Sequence, residues 1–294
     1  MNELVRMISE DGTLYCLALD STEMVKEMQN IHNTSKVCSA ALGRLITGAS
    51  MMGALLKGDK DTLTLKLSGG GPASPVVAVA NSKGQVKGYI GDSRVNLPLN
   101  AKGKLDVSGA IGKNGFLTVI KDLGLKEPYC AQTPIISGEV AEDITAYYFT
   151  SEQTPTVCAL GVLVNPETEE VLLAGGFLIQ LLPTAGEDTI SLVEKGLENI
   201  KPVTTMLAEG LNPQQICETV LPEFSMQILD TQYVEYKCDC SVERVTKALI
   251  GAGEEGLREM AEDENTEVCC HFCNKKYNFS REKILKLLKE AQSN

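Results

Sequence analysis

The chain has 294 residues, 43% of them hydrophobic, and a formal net charge of -12 at pH 7. That length supports one large core or two modest ones, and the negative balance opposes a phosphate backbone and so argues against nucleic acid as a partner. No apolar run approaches the roughly 18 residues that cross a bilayer, Met1 to Asp11 carries no apolar signal segment, and ten cysteines in so long a chain fit reduced thiols better than a secreted disulfide framework, so a cytoplasmic protein without membrane contact is expected.

Short apolar or alternating runs at Thr13 to Asp20, Thr62 to Leu67, Val76 to Ala80 and Gln85 to Ile90 end at Gly, Asn or Asp, which reads as strands joined by turns. Between the first two, Thr34 or Ser35 can cap a helix reaching about Lys57, on which Ala40, Leu42, Leu45, Ile46, Ala49, Met52 and Leu55 keep helical spacing. Gly43, Gly48 and Gly53 weaken such a helix unless something packs closely there, so a helix buried on the sheet is expected. Gly69-Gly70-Gly71-Pro72 lacks the Gly-Lys-Ser or Gly-Lys-Thr of a phosphate loop and reads as a loop or hairpin. Leu117 to Ile120 predicts a strand and Asp143 to Ser151 a helix, while Thr156 to Val164 pairs with Val171 to Gln180 about Pro166-Glu167-Thr168. Residues 1–180 are thus expected to form an α+β body.

From Asp188 the spacing turns helical: Ile190, Leu192, Val193 and Leu197, then Val203, Met206 and Leu207, then Ile216 and Val220. Asn212-Pro213 is a helix start, a capping side chain followed by a residue whose missing N–H costs nothing in the first turn. Residues 181–231 form a helical linker in this reading, its apolar faces laid on the body. Residues 232–294 form a third part, with Ser241 capping Val242 to Ile250, a short helix near Leu257 to Ala261, and Ser280 capping Arg281 to Ala291. Its large apolar groups are few, so a metal is expected to hold it folded.

That part carries the strongest chemical signal of the chain. Cys238-Asp239-Cys240 is followed, after 29 residues, by Cys270-His271-Phe272-Cys273. Two close thiol pairs supply the four sulfurs of a tetrahedral Zn2+ site. Cys269 adjoins Cys270 and offers an alternative ligand, and His271 a further one. Cys16, Cys158 and Cys217 lie in apolar surroundings and read as core residues, whereas Cys38, opening a helix, and Cys130, in a loop, read as exposed thiols without a paired neighbour.

Cys238-Asp239-Cys240-Ser241 with Glu243-Arg244, then Cys270, Phe272-Cys273-Asn274, Tyr277 and Phe279, resemble the zinc signature of the bacterial thirty-three-kilodalton heat-shock protein family of redox-regulated chaperones. Ser137-Gly138-Glu139-Val140-Ala141-Glu142-Asp143-Ile144, Tyr147, Ser151-Glu152-Gln153 and Gly175-Gly176 are similar to motifs of its body, so the resemblance spans essentially the whole chain. It implies Cys238, Cys240, Cys270 and Cys273 as ligands of one Zn2+, with Cys269 a departure from the pattern and Thr184 standing where a glycine is expected. It further implies an ATP-independent holdase, inactive while reduced and zinc-bound. Oxidation then pairs Cys238 with Cys240 and Cys270 with Cys273, releases the ion, and exposes apolar surface on the helices of about 187 to 223 to unfolding client proteins, with a homodimer as the activated form.

The rival reading is a static structural zinc module in a protein-interaction or nucleic-acid-binding protein, since four-thiolate sites are more often structural. An enzyme is not expected. Only His32 and His271 are present, Gly-x-Ser-x-Gly and His-Glu-x-x-His are missing, and four thiolates leave a metal no open position for substrate. A disulfide reductase escapes those objections, but both thiol pairs are committed to one ion.

Overall fold

The computed structural model describes residues 2–292. The chain first forms β1 (Glu3–Ser9), β2 (Leu14–Asp20), α1 (Thr22–His32), α2 (Lys36–Gly53), β3 (Thr62–Ser68), β4 (Val76–Asn81), β5 (Val86–Ile90) and α3 (Val107–Ile111). There follow β6 (Phe116–Asp122), β7 (Tyr129–Pro134), α4 (Ala141–Tyr147) with a wider π turn over Tyr148–Glu152, β8 (Thr156–Val164), β9 (Val171–Leu181), α5 (Glu187–Leu197), α6 (Val203–Ala208), α7 (Pro213–Val220) and β10 (Met226–Tyr233). After a boundary at Lys237 a second unit contains α8 (Val242–Ile250), α9 (Gly253–Met260), β11 (Asn265–Cys269), β12 (Lys276–Ser280) and α10 (Arg281–Gln292). The α+β class expected from the sequence is the class observed.

The first unit is organised on α2. Ser35 caps it by accepting from the Cys38 N–H at 3.4 Å, and both of its sides are apolar because it lies between two five-stranded sheets. One sheet runs β10-β1-β2-β9-β8 and the other β5-β4-β3-β6-β7, every pair antiparallel. Leu42, Leu45 and Ile46 are fully buried, each side chain worth about 1.5–3 kcal/mol of transfer free energy. The glycines that weaken an isolated helix let α2 sit this close: a Cβ on Gly48 would lie 2.6 Å from Ile144 Cδ1, and one on Gly53 2.6 Å from the Asn81 carbonyl oxygen.

The strand period of two divides the first sheet between two cores. Leu17 and Leu19 of β2 face α2, while Leu14, Cys16 and Ala18 face Val193, Val203, Met206, Ile216 and Val220 of α5–α7. The apolar faces of the expected linker helices are therefore laid on the body. Asn212 caps α7 as expected, exchanging hydrogen bonds with Gln215 at 2.9 Å in both directions.

Several elements differ from the sequence reading. After α7 the chain forms a strand, β10, which pairs with β1 and is fastened by the Arg6–Asp230 ion pair at 2.5 Å. The run Met226 to Tyr233 carries Asp230 and two glutamines, which hid its strand character. α1 and β7 were also unassigned, and Cys130 lies on β7, exposed, rather than in a loop. Cys38 is buried, its Sγ 3.3 Å from the Asp92 carbonyl oxygen, because the Asp92–Val95 loop closes over the start of α2. The expected helix from Asp143 starts earlier, at Ala141, because the buried Asp143 carboxylate accepts from the N–H groups of Ile136, Ser137 and Val140 at 2.8, 3.1 and 3.1 Å and caps it from its third position. Thr184 donates its hydroxyl to the Gly12 carbonyl at 2.7 Å, which ties down the loop where a glycine was expected.

Candidate metal centre

Two backbone devices in the second unit bring its thiols together. Cys238 and Cys240 flank Asp239, which ion-pairs with Arg244 on α8. Ser241 starts α8 immediately afterwards, its Oγ accepting from the Arg244 N–H at 3.2 Å. On the other side β11 and β12 pair in register from Asn265 with Ser280 to Cys269 with Lys276. The turn between them folds back on Cys270, whose carbonyl accepts from the N–H groups of Cys273 at 3.3 Å and Asn274 at 2.8 Å. Asn274 adopts φ +57°, a left-handed conformation that Asn tolerates better than most residues.

The ligand atoms of Cys238, Cys240, Cys270 and Cys273 all lie within 4.8 Å of one another. Two separations join opposite segments closely, Cys238 Sγ to Cys270 Sγ at 3.7 Å and Cys240 Sγ to Cys273 Sγ at 3.4 Å. A tetrahedron of sulfurs about 2.3 Å from a central Zn2+ has edges of roughly 3.8 Å, so the donor set fits the ion in chemistry and in spacing. Cys269 is exposed at the end of β11 and stands outside the cluster, as does the exposed His271. Strand alternation explains the choice: Val268 packs inward beside Cys270, and Cys269 between them points out.

Tyr277 on β12 donates its hydroxyl to Cys240 Sγ at 3.0 Å. Burial raises the Cys240 thiol, but the Tyr277 hydroxyl and the neighbouring thiols outweigh it and bring the group down to about 7. Burial chiefly pushes Cys238 and Cys273 the other way, above the ordinary thiol value. The donated bond to Cys240 raises Tyr277 itself. The sequence signals Tyr277 only as part of a family motif; the register of β11 with β12, which no local pattern reveals, turns its hydroxyl toward the sulfurs. Beneath them lies a small core of Val245, Leu249, Leu257, Tyr277, Phe279 and Ile284, against which Cys240 and Cys270 pack.

The family model described as Hsp33 protein matches residues 2–280. The chain is 47% identical over 293 residues to the 33 kDa chaperonin of Clostridium perfringens strain SM101, covering 99% of this chain and 92% of the relative. It is 47% identical over 291 residues to the 33 kDa chaperonin of Acetivibrio thermocellus, covering 99% and 98%. The crystal structure of the 33 kDa chaperonin (heat shock protein 33 homolog) from Thermotoga maritima superimposes with a TM-score of 0.89 at 35% identity, covering 100% of this chain and 99% of that one. With a two-sheet body built on one buried helix, a four-sulfur cluster in the second unit and matches along the full length, the chain belongs to the Hsp33 protein family.

Proposed function

We propose that this chain is a redox-regulated, ATP-independent chaperone, a holdase that is inactive with its four clustered cysteines reduced and holding one Zn2+, and that captures unfolding proteins after those cysteines are oxidised. The observation that carries the reading is the approach of Cys238, Cys240, Cys270 and Cys273 to within 4.8 Å from two distant segments. A bound Zn2+ would keep the four thiolates deprotonated and clamp the two segments together.

Oxidation acts on the cysteines themselves. Two thiolates and a peroxide, with two protons, give one disulfide and two waters, the thiolates losing two electrons and the O–O bond breaking. Pairing Cys238 with Cys240 and Cys270 with Cys273 consumes all four charged donors. Each of these disulfides lies within one segment, so neither replaces the link across the segments that the reduced cluster makes between Cys238 and Cys270 and between Cys240 and Cys273. The second unit then loses the link that joins its halves, and its small core does not hold them alone.

Three functional parts follow: a body over residues 1–180, a linker over 181–231 and a redox switch over 232–294. Loss of the switch reaches the linker through the chain, because only β10, an edge strand paired with β1, lies between Cys238 and the helices α5–α7. The partners are unfolding polypeptides, the activated form is a homodimer, the setting is a reducing cytoplasm, and no substrate is turned over. Among the described residues no helix is long and apolar enough to cross a membrane.

Light scattering from a thermally unfolding client tests the reading, with one preparation used reduced with zinc and then oxidised with peroxide under mild heat. Suppression by the oxidised form alone is expected. Equal suppression by both forms, or by neither, returns the static zinc module.

A further inference from the structure

The first sheet has an outer edge at β8 that lacks the usual protections. β8 is nine residues, Thr156–Val164, without a charge or a proline, and its register stays regular until Leu163/Val164. The other outer edges of the two five-stranded sheets are guarded. β10 carries Asp230 and meets a bulge at Arg6/Met7, β5 is bridged by the chain at Tyr236, and β7 is polar and ends in Pro134. A long apolar edge with unpaired backbone groups is a template for a further strand.

The ladder identifies the unpaired groups. Leu181 N–H donates to the Pro155 carbonyl at 3.1 Å and Leu182 N–H to the Thr13 carbonyl at 2.8 Å. Bonded and non-bonded positions alternate in an antiparallel pair, so Val157, Ala159 and Gly161 bond to β9, and the backbone groups of Thr156, Cys158, Leu160 and Val162 point outward. A groove lies at each end of this row. One, of about 590 Å³, is lined by Thr156 and Val157 with the exposed Ile136, Phe149 and Ile190. The other, of about 690 Å³, is lined by Leu160 to Val164 with the exposed Leu99. Arg44 lines the second groove with its Nε–H buried and unmatched, although its Nη1 donates to Glu139 at 2.6 Å.

We propose that the outer edge of β8 receives an extended segment of an unfolding polypeptide as a sixth strand of the first sheet, its apolar side chains lodging in the two grooves. This rests on the holdase reading above and names where the client binds. A backbone ladder selects extended conformation without reading sequence, which suits a protein that must take many clients. Charge favours a client over a second copy of this chain, which would bring a further -12 to the edge; Lys36, Arg44 and Lys104 line the second groove. The groove walls also join the edge to the proposed linker. Ile190 and Val193 come from α5, Pro202 caps α6 and Thr204 lies on it, the helices of the proposed linker. Thr204 lies close enough to β8 that a Cβ on Gly161 would be 2.8 Å from its methyl group. Loosening of this segment would widen the grooves beside the edge.

The test uses full-length oxidised protein and reduced, carboxamidomethylated lysozyme, a cationic chain that stays unfolded, with amide exchange resolved by residue. Thr156, Cys158, Leu160 and Val162 should exchange about tenfold more slowly or better in the complex, and Leu163→Lys should weaken capture by roughly tenfold by placing a charge in the groove. Should Leu163→Lys not fold, the exchange pattern of the unaltered chain decides alone. Capture with unchanged exchange at these four amides overturns the site and leaves the holdase reading standing. Protection that appears without lysozyme and grows with protein concentration also overturns it, because a second copy then covers the edge. No capture in either redox state removes the holdase reading and the site with it.

Discussion

The two units answer the problem of burial differently. The first encloses α2 between two sheets and fills the space with Leu, Met, Ala and Ile, so its stability is spread over many contacts. The second has a short hairpin, three helices and a core of a few side chains, with four thiols at its edge. On the proposed reading, the first is held by its own core, whereas the second depends on what joins Cys238 and Cys240 to Cys270 and Cys273. The contrast teaches how a protein can confine a conformational switch: on the proposed reading the unit with the small core carries the redox chemistry and the unit with the large core persists through it.

Stripping the metal gives the largest expected effect. A chelator, or Cys240→Ser, should unfold the second unit, with apparent losses of up to about 10–16 kcal/mol for a structural zinc. Amide exchange should show β11, β12 and α8–α10 losing protection while β2, β9 and α2 keep theirs. Equal loss in both units would erase the distinction between them. Leu45→Ala probes the opposite side. Removing a fully buried side chain from α2 should cost about 2–5 kcal/mol, read as a lower denaturation midpoint of the first unit with zinc affinity unchanged.

A smaller effect is expected from Tyr277→Phe, which keeps the ring in the core and removes only the hydroxyl that supports Cys240. Zinc affinity measured against a competing chelator should fall by roughly tenfold, as for other groups that support a metal ligand, while the fold of the second unit persists with zinc in excess. Unchanged affinity would make the Tyr277 contact incidental. The smallest effect belongs to the β1–β10 clasp. The Arg6 guanidinium, through its hydrogen bond, holds the Asp230 carboxyl below its ordinary range. A depressed carboxylate contributes stability above its unfolded value and loses it as the pH falls through its folded value, so the clasp should weaken only below about pH 4. Asp230→Asn should cost at most about 1 kcal/mol at neutral pH, since the pair is partly exposed. It should also flatten the acid dependence of β10 exchange.

Much of this contrast was legible before the fold was known. Helical spacing on either side of Gly43 and Gly48 marked α2, Asn212-Pro213 marked the start of α7, and the two cysteine pairs marked the cluster, because each signal is local. Other features depend on distant parts of the chain. β10 is a strand because β1 offers it an edge some 220 residues earlier, and Cys38 is buried because a loop near Asp92 closes over it. Cys269 and Cys270 are indistinguishable by spacing alone; the β11–β12 register turns one outward and the other toward the sulfurs. Tyr277 took its place beside Cys240 by the same route.

The central claim is that disassembly of the four-thiol cluster turns capture on. It is tested most directly by adding peroxide in steps to the reduced, zinc-loaded protein and following zinc release with a chromophoric chelator, disulfide content, and suppression of client aggregation in the same samples. The account predicts that capture rises together with zinc release and disulfide formation, and reverses when thiols are restored with zinc present. Full capture by samples that still hold their zinc, or complete zinc release with no gain in capture, would contradict it.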